Sequence, residues 1–427
     1  MSEINNIPKH WEVKRLGEVG EIVSGGTPST KVSEYWKGNI SWISPADLSG
    51  YNQKYISNGR KSISEVGLKH SSARLIPKGA VLFSSRAPIG YTVIAGKEVC
   101  TNQGFKSVVP NKSLSSEYLF YYLKASKQKA EKAASGTTFK EISLKAFSQL
   151  EIPLPPLPEQ HAIVARIEEL LSDLDNGKQQ LLTAQQQLKS YRQSLLKWAF
   201  EGKLTNKEVK EGVLPEGWKW VKLNEISAEI SDGDHQAPPK SLTGVPFITI
   251  SNVNKLSNKI DFDDTFKVSK EYYQKLKSNR KPQKGDVLYT VTGSYGIPVL
   301  IDFENEFCFQ RHIGLIRPLE NISQTWMYYL LQSPQVFNQA KNTATGTAQK
   351  TVALSSLRNF TIPLCSISEQ HLIVSELESK LTVCDKIAET ISQSLLQAET
   401  LRQSILKRAF EGKLVDFDPS ITQLIKR

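Results

Sequence analysis

Nowhere does the sequence run through the ~18 consecutive apolar residues that a helix needs to cross a bilayer, so a membrane span is not expected. The opening residues, Met1-Ser2-Glu3-Ile4-Asn5-Asn6, lack the basic and apolar regions of a secretory leader, and a cytoplasmic location is the expectation. Cysteine is scarce: Cys100, Cys308, Cys365 and Cys384 lie far apart and form no C-x-x-C pair. Neither a disulfide framework nor a zinc site is therefore expected, and the four read as buried small apolar residues. Lys and Arg outnumber Asp and Glu, yet no run of five or more basic residues occurs, which argues for a folded positive surface over a disordered basic arm.

Catalytic patterns are also missing. There is no G-x-x-x-x-G-K-S/T phosphate loop, no Asn/Asp-Pro-Pro-aromatic motif, no H-E-x-x-H and no glycine-rich cofactor loop clearly following a strand. The stretch from Gly90 to Gly96-Lys97-Glu98 resembles a phosphate loop only in outline, since its spacing is wrong and it ends in an acid. ATPase, methyltransferase and nuclease chemistry are all unexpected in this chain, which reads as a non-enzyme without its own cofactor or metal.

What is present points elsewhere. A chain of 427 residues exceeds what one core usually supports, so two domains are expected. A formal net charge of +11 and a pI near 9.2 favour a polyanionic partner, nucleic acid before membrane. The strongest signal is an internal repeat with a period of roughly 210 residues, far above the roughly 20–50 of a solenoid. Pro8-Lys9-His10-Trp11 returns as Pro215-Glu216-Gly217-Trp218, and Lys78-Gly79-Ala80-Val81-Leu82-Phe83 as Lys284-Gly285-Asp286-Val287-Leu288-Tyr289. Cys100 returns as Cys308, Ser135-Gly136-Thr137 as Thr345-Gly346-Thr347, and Glu159-Gln160-His161 as Glu369-Gln370-His371. Ala199-Phe200-Glu201-Gly202-Lys203-Leu204 recurs unchanged as Ala409-Phe410-Glu411-Gly412-Lys413-Leu414.

Each copy is a globular part followed by a helix. The globular parts hold short β-like runs, such as Ile40-Ser41-Trp42-Ile43 and Phe247-Ile248-Thr249-Ile250, punctuated by Gly, Pro, Asn and Ser. Helical stretches such as Glu117 to Glu131 are the minority, so an α+β domain is expected. Val164, Ile167, Leu171, Leu174, Leu181, Leu188 and Leu195 then recur at alternating three- and four-residue steps, with polar interruptions at Lys178 and Gln185. The second copy runs Val374, Leu377, Leu381, Cys384, Ala388, Ile391, Leu395, Ala398 and Ile405. Pro158 and Glu159 suit a helix start, and Asn176-Gly177 is a point where the first helix is expected to weaken or bend. Helices of ~40 residues would span about 60 Å. A seam that narrow is best buried by its repeat, which predicts an antiparallel coiled coil with an approximate two-fold axis. The organisation expected is residues 1–152 and 206–362 as globular domains, 153–205 and 363–415 as helices, and 416–427 as a tail.

At this point the sequence resembles the specificity subunit of type I restriction-modification systems. The residues that carry the resemblance are the Pro-x-x-Trp opening each half, the run Ile152-Pro153-Leu154-Pro155-Pro156-Leu157-Pro158-Glu159-Gln160 before the first helix, and the closing Ala-Phe-Glu-Gly-Lys-Leu. The second run, Ile362 to Gln370, keeps Pro363 and Glu369-Gln370 but loses the other three prolines. The resemblance implies that the globular parts are target-recognition domains, each reading half of a split double-stranded DNA sequence. It implies that the helices space those halves and dock two methylation subunits. S-adenosylmethionine would then serve those subunits, and ATP and Mg2+ the restriction subunits of the full complex.

Reading bases takes side chains with paired donors and acceptors. Loops of the first domain offer Ser84, Ser85, Arg86, Asn102, Gln103, Lys106, Thr137, Thr138 and Lys140. The aligned stretches of the second offer Asp234, His235, Thr292, Ser294, Tyr295, Gln310, Arg311, His312, Gln349 and Lys350. For each of these a turn role or a phosphate contact is the competing reading. Glu159, Gln160, Phe200, Glu369, Gln370 and Phe410 are candidates for subunit docking or for fixing the helix ends. Tyr121, Tyr122, Tyr328 and Tyr329 read as core before stacking platforms, and His161 and His371 as cap or subunit contacts before metal ligands. Two other function classes stay open: a self-contained restriction enzyme, and a coiled-coil scaffold whose globular ends bind proteins.

Overall fold

Four strands of the large sheet follow the same order in both copies. The computed structural model describes residues 7–86, 88–136, 140–206, 208–210, 212–236 and 238–417. In the first copy Gly20–Ser24, Phe105–Pro110, Val81–Ser84 and Thr92–Ala95 pair antiparallel in that order, and Tyr55–Ile56 adds in parallel at the end. Val81–Ser84 and Thr92–Ala95, which lie inside the sheet and not at its edge, are buried at every position. The second copy repeats the arrangement with Ser227–Asp232, Ile313–Pro318, Val287–Thr290 and Pro298–Leu300, without the fifth strand. A smaller sheet accompanies each: Lys61–Ile63, Trp36–Ile43 and Cys100–Thr101, then Phe266–Val268, Val245–Ile248 and Cys308–Phe309. All four cysteines are free and buried. Burial pushes the Cys100 and Cys308 thiols up to about 12, which keeps them protonated and inert.

The stretch expected as one helix from Glu117 to Glu131 is two, Ser116–Ala125 and Lys127–Ala133. Ser126 divides them: its amide closes the first piece on the Tyr122 and Leu123 carbonyls, and its own carbonyl accepts the first bond of the second. Tyr121 and Tyr122 are buried, whereas Tyr328 and Tyr329 are only partly so. Ile152-Pro153-Leu154 belongs to a strand, Glu151–Leu154, which pairs with Glu12–Arg15 and draws the start of the domain to its end. Lys219–Lys222 and Thr361–Leu364 do the same in the second copy.

The long helices run Leu157–Phe200 and Ile367–Phe410, 44 residues each. Gly177 does not interrupt the first; its open surroundings and the continuing ladder carry the helix through. The chain divides into two compact units, residues 1–181 with 393–427, and residues 182–392. Each unit thus holds one globular domain, the first part of the helix that follows it and the last part of the other helix. In the first unit Ile163, Val164, Ile167 and Leu171 share a core with Ile405, Leu406, Ala409 and Phe410. Asp175 pairs with Arg402, and Pro8, three residues before Trp11, lies so near Gly412 that a Cβ there would come within 2.4 Å of it. Within this unit the two helix segments therefore run antiparallel. The second unit repeats the pattern with Arg192 on Asp385 and Thr205 on Glu369. No helix among the described residues is long and apolar enough to cross a membrane.

Candidate nucleic-acid interface

In the first domain a chain of main-chain hydrogen bonds gathers four loops at one end of the large sheet. Gly26 donates to the Thr101 carbonyl at 2.8 Å, Ser85 to Gly104 at 2.7 Å and Ile142 to Ser85 at 3.0 Å. Glycine is required in the first loop because a Cβ on Gly25 would fall 1.8 Å from the Asn102 carbonyl oxygen. Across this joint the Thr27 hydroxyl donates to the Gln103 side chain. The second domain is built alike: Asp234 donates to Phe309 at 2.9 Å, Arg311 to Asp234 at 3.0 Å, Val291 to His312 at 2.9 Å and Val352 to Val291 at 2.8 Å. In both, the described candidate residues chosen from sequence meet in one place.

Burial sorts them. Arg86, Gln103 and Lys140 are exposed in the first domain, as are His235, Arg311, Gln349 and Lys350 in the second. Asn102, Asp234, Ser294, Tyr295, Gln310 and His312 are half-buried. Ser84, Ser85, Lys106 and Thr292 are buried, and three of them have visible internal work. The Ser84 hydroxyl donates to the Pro88 carbonyl and accepts from the Tyr91 amide. The Lys106 ammonium lies 3.5 Å from Glu141, and Thr292 accepts from the Thr351 hydroxyl. As folded, these side chains brace loops and do not present themselves to a ligand. Thr137 and Thr138 lie outside the described residues.

Asp234 anchors the second domain's cluster. Its carboxylate accepts from the Tyr272 hydroxyl and lies 3.5 Å from an Arg280 nitrogen. Partial burial works against ionisation, but the Tyr272 bond, the Gln236 and His235 amides and the Arg280 charge outweigh it and hold the carboxyl below its ordinary value. Burial, helped by Arg311, lowers His312 and so favours the neutral imidazole, which can both donate and accept. Tyr272 and Arg280 were not legible in the sequence as site residues, because neither lies in the aligned loops.

Of the helix-end candidates, Glu159, Gln160, Phe200, Gln370 and Phe410 lie inside the protein. Glu159 is buried and accepts from the Trp11 indole at 3.0 Å and lies 2.9 Å from His10 Nε2. Gln160 is fully buried, accepting from the Ser115 amide and donating to the Ser113 and Pro155 carbonyls. Gln370 likewise accepts from Ser323 and donates to Cys365. Phe410 packs edge-on against Tyr118 and Tyr122, and Phe200 against Trp326. Glu369 is half-buried, and His161 and His371 are exposed. Among the described residues no cluster of His, Cys, Asp and Glu could hold a metal ion.

A family model described as the type I restriction modification DNA specificity domain matches residues 8–184 and again 215–397. The MjaIX specificity subunit of Methanocaldococcus jannaschii is 35% identical over 265 residues, 60% of this chain and 60% of that protein. The EcoBI specificity subunit of Escherichia coli is 30% identical over 296 residues, 66% of this chain and 62% of its own length. In these two comparisons the chain spans under two thirds of the relative. The MjaVIII specificity subunit of Methanocaldococcus jannaschii is 26% identical over 96% of this chain and 94% of its own. A chain from a solved type I R-M system has the same fold, with a TM-score of 0.71 and 22% identity over 95% of this chain and 99% of that one. The HsdS subunit from Thermoanaerobacter tengcongensis has a TM-score of 0.60 and 21% identity, covering 95% and 98%. With its specificity domain present twice, joined to long helices, the chain belongs to the family of type I restriction-modification specificity subunits.

Proposed function

We propose that this chain is a non-catalytic DNA adaptor whose two recognition domains, residues 1–152 and 206–362, each read one half of a split, asymmetric DNA target. One observation carries the reading: the two domains build the same bonded loop platform but arm it with different exposed side chains, Arg86 and Gln103 in one, His235 and Arg311 in the other. Equal platforms suit one kind of ligand, and unequal side chains suit two base sequences. Half-buried Asn102, Ser294, Tyr295, Gln310 and His312, with exposed Gln349, complete the reading surface. Buried Ser84, Ser85, Lys106 and Thr292 hold it in shape, as does Asp234.

The helices, residues 153–205 and 363–415, would space the half-sites and dock two methylation subunits. Large apolar side chains left in solvent on them support docking: Tyr191 is 44% exposed, Trp198 38%, Leu401 51% and Leu396 72%. Glu159, Gln160, Phe200, Gln370 and Phe410, being enclosed, serve the helix ends instead. Methyl transfer from S-adenosylmethionine to adenine would then occur in the methylation subunits. ATP- and Mg2+-dependent translocation and cleavage would occur in restriction subunits, all in the cytoplasm where the DNA lies.

The test is genome-wide mapping of N6-methyladenine in cells expressing the chain with its cognate methylation subunit, against cells lacking only this chain. A split motif that vanishes with the chain is expected. Methylation that persists unchanged would refute the specificity role and favour a protein-binding scaffold.

A further inference from the structure

Two copies of one platform, each facing a different half-site in the reading proposed above, amount to a controlled comparison. A residue that keeps its identity and its place in the loop framework in both copies meets something both half-sites share, and what every DNA sequence shares is its phosphate backbone. Exposed residues of the platform divide on this criterion. Gln103 stands where the other domain has Arg311, and Arg86 where it has Thr292. Lys140 and Lys350, by contrast, match.

Their surroundings match too. Each lysine follows a glycine at positive φ four residues earlier, Gly136 at 114° and Gly346 at 110°. Each precedes a residue that closes its loop by a reciprocal pair of main-chain bonds. Those are Ser135 with Glu141, at 3.1 and 2.9 Å, and Thr345 with Thr351, at 3.0 and 2.8 Å. The same closing residues bridge to Arg86 and to Thr292, which ties both lysine loops to the centre of the platform. Both lysines are exposed, and neither ammonium has a hydrogen-bond or ion-pair partner among the described residues.

A second pair, matched in identity and position but not in exposure, lies beside the first loop: Arg74 is exposed and Arg280 half-buried. Arg74 precedes Lys78-Gly79 by the same step as Arg280 precedes Lys284-Gly285. In the first domain the backbone of this segment touches the loop so closely that a Cβ on Gly26 would fall 2.2 Å from the Ala73 nitrogen. In the second the Ser231 hydroxyl donates to the Asn279 carbonyl, and Arg280 reaches Asp234. Arg74 is exposed and has no ionic partner among the described residues, since Thr27 occupies the place of Asp234.

We infer that Lys140, Lys350, Arg74 and Arg280 form a sequence-independent phosphate clamp, two cations per domain, distinct from the differing residues that read bases. The inference rests on the DNA-reading proposal and assigns a division of labour within it. Lysine and arginine at fixed positions on a bonded platform would set the register of each domain on the duplex. The side chains that differ would then decide the sequence.

The experiment uses the full chain with its methylation partner and a random 40-bp duplex library, selected by binding and sequenced, followed by salt titrations on selected and unselected duplexes. Lys140→Ala, Lys350→Ala and Arg74→Ala should each recover the wild-type motif while weakening binding to both duplex sets by the same factor, about 5–10-fold at low salt. The slope of log K against log salt should fall by about 0.9 for each cation removed. Because Arg280 also contacts Asp234, its test is paired: Arg280→Ala should lower the slope and Arg280→Lys should restore it. A variant that loses information from one half of the motif, or one that leaves affinity and slope unchanged, would overturn the clamp while the reading stands. A wild-type complex that recovers no motif would overturn the reading and the clamp with it.

Discussion

Replacing Gln160 by alanine removes three hydrogen bonds at the point where the first long helix meets its domain. The lost bonds are from the Ser115 amide at 2.8 Å, to the Ser113 carbonyl at 2.8 Å and to the Pro155 carbonyl at 2.9 Å. The side chain is fully buried, and Ser115 caps the helix Ser116–Ala125. At about 1 kcal/mol net per bond, the loss is about 3 kcal/mol. The repeat supplies a graded control, because Gln370 makes two such bonds, to Ser323 and Cys365, and its removal should cost about 2 kcal/mol. Two units need not unfold together, so hydrogen exchange resolved by peptide is the assay. Gln160→Ala should cut protection of residues 113–125 by about two powers of ten and leave residues 323–332 unchanged, since each factor of ten is about 1.4 kcal/mol. Gln370→Ala should do the reverse, by about 30-fold. Unchanged protection together with failure to bind a methylation subunit would refute this reasoning and make the repeated Glu-Gln a docking site.

Three other outcomes are expected. Gly177→Ala should stabilise the chain by about 0.5–1 kcal/mol in thermal unfolding, because the position is helical and a Cβ meets nothing within 4 Å; a destabilised variant would mean the helix needs glycine there. Arg86→Ala and Arg311→Ala should each relax one half of the methylated motif by about 1–3 kcal/mol of discrimination, and equal loss on all sequences would place them on phosphate. Asp234 is held below its ordinary 3.8, so its contribution is present above that pH and is lost as pH falls through the lower folded value. Asp234→Asn should therefore cost about 1 kcal/mol at pH 7 and less at pH 3, and a deficit equal at both pH values would show that its charge is not what stabilises the cluster.

Repetition, strand-like runs, two long helices and the loops that meet at the end of each large sheet were legible in the sequence. Each rests on a pattern local to the chain: glycine where loops approach, apolar residues at helical period, and short motifs recurring in register. Which side chains those loops expose was less legible. Lys106 and Ser84 have the chemistry of DNA contacts but are spent on Glu141 and on Pro88 and Tyr91, and nothing in their own neighbourhood in sequence announces the burial. Arg74 and Arg280 escaped because they lie outside the loops, although the repeat aligns them once the fold supplies a reason to look.

Sequence by itself determined the family, the duplicated α+β organisation and the seams of the helices, since period and turn chemistry are properties of neighbouring residues. The antiparallel pairing of the two helices was expected from their seams, and tertiary structure alone decided which domain residues each helix end packs against, Phe410 on Tyr118 and Phe200 on Trp326. It alone decided which polar side chains face outward. Burial and pairing are set by what packs against a residue from distant parts of the chain, and no local pattern carries that information.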